Sequence, residues 1–290
     1  MNPRVAFRLF ARWVRHSPAL AKAEGLWSIL RRPYLALLDA GGKGVSVCVA
    51  GRVWVRMPAE YAAGAVWEDY EPETVAALAD WMCKHPGGQV FDVGCSIGIF
   101  SAVALFADCH SNIVAFDSDL NSLAAARRLC RYAPGDRLQV VWGFLGDKET
   151  VVQALHDAFF AANEALERQS PSGKLGTNRY ICLDKHDKEG IPCRKLDDLL
   201  QRAKNDPRPL LIKCDVEGAE LIVLSGSRRL LQGNNISLLL SVHPTALPNH
   251  GHSVEDVRLF LKDVDYTITV LGVDHEEHWW CEKRKKGPAS

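Results

Sequence analysis

Gln89-Val-Phe-Asp-Val-Gly-Cys-Ser-Ile-Gly-Ile-Phe-Ser101 decides the fold. An apolar run ends in an acid and a glycine, and small residues lead straight into helix-forming sequence. The pattern reads as a buried parallel strand, a tight glycine turn and a helix N-terminus. Gly94 and Gly98 stand in G-x-x-x-G, not in the G-x-G-x-x-G that brings a backbone against a pyrophosphate. The Gly-Lys-Ser/Thr of a phosphate-cradling loop is also missing. Asp92, at the strand end, suits a ligand ammonium or amine better than a phosphate.

About twenty residues on, Asn112-Ile-Val-Ala-Phe-Asp117 is a second strand ending in an acid, which suits a ribose diol. Either glycine alone could simply turn the chain in an ordinary βαβ unit. The two strands with their terminal acids say more. An acid for the ribose, glycines for close approach and no phosphate grip point to S-adenosylmethionine. Asp92, Gly94, Ser96, Gly98 and Asp117 are the expected cofactor residues, with Asp147 past the third strand as a candidate near the adenine.

Working outward, 290 residues hold one large α/β core with an accessory element. Thirty-five basic residues balance 35 acidic ones, so no overall field pulls toward nucleic acid. Nine cysteines occur without C-x-x-C or zinc-ligand spacing, and Cys95 and Cys214 fall in strand or turn sequence. They read as reduced, structural thiols in a cytoplasmic protein. No apolar run is long enough for a transmembrane helix, and the N-terminus has charges but no apolar signal-peptide core.

Residues 1–69 read as an N-terminal helical extension and a β-hairpin. Arg4, Arg8, Arg12 and Arg15 recur at near-helical spacing among Phe7, Phe10, Trp13 and Val14. Such a helix can pack on the main domain with solvated arginines, or make peripheral contact with an anionic membrane. Pro33 starts or interrupts a second helix that Gly41-Gly42 ends. Gly44 to Met57 alternates about Gly51, as a hairpin does.

Residues 70–282 then alternate helix and strand as a doubly wound sheet does. Helices are expected at Tyr70–Lys84, Asp119–Arg131, Lys148–Gln169, Glu217–Leu231 and Ser253–Lys262, the last capped by Ser253. Strands are expected at Leu138–Trp142, Arg179–Leu183, at the start of Ile191–Leu200, and at Leu210–Asp215 and Ile236–Val242. Tyr266–Leu271 and His278–Cys281 form a closing pair. Ser170–Thr177 reads as a polar loop, and residues 283–290 as a disordered basic tail.

Two stretches now carry a resemblance. Val90-Phe-Asp-Val-Gly-Cys-Ser-Ile-Gly-Ile-Phe-Ser101 looks like motif I of class I S-adenosylmethionine-dependent methyltransferases. Lys195-Leu-Asp-Asp-Leu-Leu200, followed by Ile212-Lys-Cys-Asp-Val-Glu-Gly-Ala-Glu-Leu-Ile-Val-Leu-Ser-Gly-Ser227, resembles the FkbM-like methyltransferases. Their pattern is L-D-x-L-L, then K-x-D-V-E-G-A-E-x-x-V-L-x-G. The resemblance spans roughly Tyr70 to Leu271. It implies a Rossmann-like seven-stranded methyltransferase sheet acting on oxygen, often on sugars or polyketide-like products. Cys95-Ser96 replaces the family's Ala-Asn, Asp117-Ser118-Asp119 its Glu-Pro-Asp, and Ser241-Val-His243 its Glu-x-His.

An alcohol acceptor is about as weak an acid as water, pKa roughly 15.7, so its proton must be taken during attack. The crevice of an open α/β sheet lies beyond the strands' carboxyl ends. Asp215 and Glu217 open the fourth crossover there, either as site residues or as helix caps. His243 ends the fifth strand, with an unperturbed pKa near 6.5 that suits a base. His250, His252 and Asp274-His-Glu-Glu-His-Trp-Trp280 form a second polar group. His275 and His278 with Glu276 and Glu277 have the density of a metal site, but this is not H-E-x-x-H, so no residue is assigned to a metal, and Trp279, Trp280 and the histidines are expected instead to recognise a carbohydrate-like acceptor. The expected activity is O-methyl transfer to a hydroxyl of a sugar or related small metabolite. Its rival is a non-catalytic domain that binds cofactor or partner and docks on membrane through the N-terminal helix.

Overall fold

The structure, a computed structural model, describes residues 24–148, 150–152, 191–199, 208–233 and 235–284. Helix α1 (Glu24–Leu38) carries Pro33 inside it rather than at its start. The hairpin β1 (Val45–Val49) and β2 (Val53–Met57) buries every second residue. Its inward face, Val47, Val55 and Met57, belongs to the same buried cluster as Leu105 and Leu123 of the central unit. The short α2 (Ala59–Ala62) leads on to α3 (Pro72–Lys84), whose first turn tolerates Pro72 because that N–H would have no helical partner.

From there the chain runs β3 (Gln89–Val93), α4 (Ile99–Ala107), β4 (Asn112–Asp117), α5 (Leu120–Cys130) and β5 (Leu138–Trp142). A side sheet of β6 (Phe144–Leu145), β7 (Thr150–Val152) and β8 (Ile191–Arg194) follows, then α6 (Leu196–Leu199). The second half is β9 (Leu210–Cys214), α7 (Glu220–Ser225), β10 (Ile236–Val242), α8 (Val254–Asp263), β11 (Tyr266–Val273) and β12 (Glu277–Lys283). The main sheet has the order β11-β12-β10-β9-β3-β4-β5; β5, β4, β3, β9 and β10 are parallel, and β12 and β11 close it antiparallel. The strand order reverses direction between β3 and β9, where a doubly wound sheet opens its crevice.

Period-two alternation divides the core. Val90, Leu211 and Leu239 pack under α3 and α4, while Phe91, Ile212, Leu238 and Leu240 join Val257 and Leu261 of α8 beneath the other face. Each fully buried side chain of this size contributes about 1.5–3 kcal/mol.

The expected seven-stranded sheet, hairpin and closing strand pair are all present. Three expectations need correction. Residues 150–152 form a strand paired with β8, not the start of a helix from Lys148. Glu217–Leu231 is not one helix: α7 begins at Glu220, because Glu217 and Gly218 take left-handed backbone (φ +50° and +102°). A 3-10 turn, Leu230–Gln232, completes that crossover. Lys283 is paired in β12 rather than free in a tail. The helix at residues 4–15, the remainder of Lys148–Gln169, the loop Ser170–Thr177 and the strand Arg179–Leu183 lie outside the described residues. Ser253 caps α8 as expected, in a full capping box with Asp256.

Candidate active site

The loop after β3 is held by its own backbone. Gly94 and Cys95 both donate N–H bonds to the Phe116 carbonyl, at 2.9 and 3.0 Å. Ser96, in left-handed backbone at φ +49°, donates its N–H to Asp117 Oδ2 at 2.9 Å. Asp117 Oδ1 accepts from Asp119 N at 2.8 Å, and Asp119 in turn caps α5 through Asn121. Burial pushes the Asp117 carboxyl up, against these two bonds. A half-buried, acceptor-only group thus stands at the end of β4, fit for a diol.

The two glycines also serve the packing of the fold. A Cβ on Gly94 would collide with the Asp215 carbonyl, and one on Gly98 with Ala126 of α5. They let β3 meet the loop after β9, and α4 meet α5. Gly94→Ala is therefore expected to lower the melting temperature of the protein without added ligand, with strain at φ +74° alone worth about 1–3 kcal/mol. A thermal melt checks this; an unchanged midpoint would return Gly94 to a ligand-only role.

Asp92 is fully buried. Its Oδ2 accepts from Ser101 N at 3.0 Å and Ser101 Oγ at 2.6 Å, while Oδ1 has no hydrogen-bond donor. Across the sheet Asp92 pairs in register with Lys213, whose side chain shares its face. Lys213 is 2% exposed, lies 4.5 Å from the Phe100 ring centroid and bridges Asp215 Oδ2 at 2.7 Å. Burial disfavours its charge, yet Asp215 and Asp92 outweigh that and hold the ammonium more firmly protonated than usual. Glu71 adds to this field from the start of α3, in left-handed backbone at φ +36°, with its own carboxyl pushed up by burial.

His243 lies just beyond β10 at the centre of the acceptor half. Its Nδ1 is 2.7 Å from Glu220 Oε1, and its Nε2 faces Glu276 Oε2 at 2.8 Å, Glu217 Oε2 at 3.4 Å and Asp215 Oδ1 at 3.6 Å. Glu276 Oε2 is buried, and its contact with the imidazole is an ion pair with no further hydrogen-bond donor. Burial works against charge on His243, but Glu220 and Glu276 overcome it and push the imidazole up to about 10. The expected unperturbed value near 6.5 therefore does not hold here: the surrounding carboxylates favour the protonated ring. Ser96, Glu71 and Glu217, three of the five non-glycine residues at positive φ among the described residues, all lie at this end of the sheet, where strain tends to be stored for function.

Asp215, Glu217 and His243 are thus brought together as expected. The first two are not caps, since the residue preceding α7 is Ala219. Between β5 and Asp147 lies β6, and Asp147 N abuts Gly226 after α7. Trp279 is wholly buried, donates to Glu277 Oε2 at 2.9 Å and lies under Arg258, so it is core and not an acceptor platform. Trp280 faces the opposite side and packs against the α3–α4 core. His250 and His275 are exposed, while His278 is buried beside Ser241. Lys213, Glu71 and Glu220 were not singled out from sequence, although a lysine inside the apolar run Leu210–Cys214 was a signal; Glu276 was noted only within the polar group Asp274–Trp280.

The sequence also matches the family model described as the methyltransferase FkbM domain over residues 92–268, more than half of the chain. The chain belongs to the FkbM methyltransferase family. Part of the FkbM L-D-x-L-L motif serves as a structural tie: Asp197 accepts from Arg229 N at 3.0 Å and Leu230 N at 2.7 Å, closing the turn after α7. Among solved structures, the chain is similar to a methyltransferase FkbM from Methylobacillus flagellatus, at 18% identity and TM-score 0.44. That match covers 72% of this chain and 52% of the other, so this chain spans about half the length of the Methylobacillus protein. A Bacillus cereus O-methyltransferase in complex with SAH matches at 12% identity and TM-score 0.43, covering 77% and 85%. A precorrin-6y C5,15-methyltransferase from Geobacter metallireducens matches at 14% and 0.43, covering 74% and 90%. A search of curated proteins finds no match.

Proposed function

We propose that this FkbM-family chain is an S-adenosylmethionine-dependent O-methyltransferase acting on a hydroxyl of a sugar or related small metabolite. The observation that carries the reading is a row of polar groups across the point where strand order reverses. It runs from Asp117 and Ser96 at the cofactor end, through Asp92 in register with Lys213, to Asp215 and His243.

The residues present fit the cofactor. The donorless Asp92 Oδ1 is a buried acceptor for an ammonium, directly or through a water. Asp117 offers both carboxylate oxygens to a ribose. Bound S-adenosylmethionine supplies an electrophilic methyl carbon on a sulfonium. The chain's own residues must then hold the acceptor oxygen in line behind that carbon and keep water from it. Protonated His243 orients an acceptor oxygen by donation from Nε2, with Asp215 Oδ1 and Glu217 Oε2 alongside to receive the proton. Lys213 fixes Asp215 from behind.

The test is a panel of hydroxylated small molecules, mainly sugars, incubated with the full chain and S-adenosylmethionine. Mass spectrometry should find acceptors heavier by one CH2, with S-adenosylhomocysteine formed in equal amount. Methyl transfer only to amines or thiols would overturn the oxygen assignment.

A further inference from the structure

A carboxylate can take an alcohol's proton only as far as the hydroxyl is first made more acidic. The pocket contains the means to make the alcohol more acidic. We propose that Asp215, His243 and Glu276 bind a divalent first-row cation at the acceptor end of the crevice, with Glu217 as a further donor. This revises the expectation that no residue serves a metal. It concerns the same pocket as the methyl-transfer reading and rests on that reading only for the chemistry the ion serves.

The geometry supports it in three ways. One ligand atom from each of Asp215, His243 and Glu276 lies within 4.8 Å of the others. The separations from His243 Nε2, 2.8, 3.4 and 3.6 Å, bracket the roughly 3.0–3.4 Å between donors around an ion with bonds of about 2.1 Å. Second, Glu276 is 5% exposed and aims a donorless oxygen into the group. One imidazolium N–H cannot serve three carboxylates, whereas a divalent ion can. Third, Glu220 is fully buried and holds His243 Nδ1, which directs Nε2 toward the carboxylates. A ligating histidine is commonly oriented by such an outer carboxylate. Mixed imidazole and carboxylate donors suit manganese or zinc better than calcium. Such an ion would polarise the acceptor hydroxyl and bring its proton within reach of a nearby carboxylate.

The test is Mn2+ alone, added to the chelator-stripped full chain and followed by calorimetry and pulsed electron paramagnetic resonance. One equivalent should bind per chain, with hyperfine coupling to an imidazole nitrogen. Glu276→Gln should weaken binding by at least tenfold, and Glu220→Gln by about 10–100-fold. Absence of saturable binding, bound manganese without nitrogen coupling, or unchanged affinity in a folded Glu276→Gln variant would overturn the proposal. The wild-type spectrum decides even if a variant fails to fold. Because no turnover is needed, failure of this site and failure of the methyl-transfer reading are separate results.

Discussion

Lys213→Met is expected to lower the stability of the fold by about 3–5 kcal/mol, because it leaves buried carboxylates without their counter-charge. Lys213 Nζ bridges Asp215 at 2.7 Å, and Asp92 and Glu71 complete the field around it. Methionine keeps much of the stem and its contact with Phe100, so the loss reports charge rather than volume. Adding Asp92→Asn to Lys213→Met should recover part of the loss, since a neutral amide at that register position needs no counter-ion. Urea denaturation of the two variants measures both effects. A loss under about 1 kcal/mol for the single variant would mean that water, not Lys213, compensates these acids.

The second large effect concerns turnover. His243→Gln is expected to reduce kcat by about 10²–10⁴-fold, the usual contribution of a group that handles a proton in the transition state. Affinity for S-adenosylhomocysteine should stay within about twofold, since an interaction made only in the transition state leaves ground-state binding alone. His243 is at the acceptor end, separated from Asp92 and Asp117 by Lys213 and Asp215, which is why the two readouts should part. The expectation holds whether His243 orients the acceptor directly or through an ion. A loss below threefold would remove His243 from the acceptor pocket.

Much of the fold was legible because its signals are periodic and local. Gln89–Ser101 gave strand, turn and helix, and the apolar runs at Leu210 and Ile236 were long enough to be buried strands and nothing else. The strand-end positions of Asp92, Asp117, Asp215 and His243 followed from that alternation. Other features depended on packing that no local pattern encodes. Gly94 and Gly98 look like ligand glycines in sequence, yet their missing side chains make room for the Asp215 carbonyl and Ala126. Trp279 stands in a polar stretch, but β12 pairs inside the sheet and turns that residue into the core. Glu276 reaches His243 only because β12 runs antiparallel beside β10, which brings the turn before β12 to the end of β10. The upward shift of His243 follows from that convergence of carboxylates, which an unperturbed value could not reflect.

Calorimetry with S-adenosylhomocysteine tests the central claim most directly, because cofactor binding at the ends of β3 and β4 underlies every later step. The full chain should bind it saturably with one site, and Asp117→Ala should weaken that binding strongly by removing the acceptor for the ribose. NAD, whose pyrophosphate finds no glycine cradle here, should give no comparable heat. Preference for NAD, or binding of S-adenosylhomocysteine that Asp117→Ala leaves unchanged, would contradict the assignment.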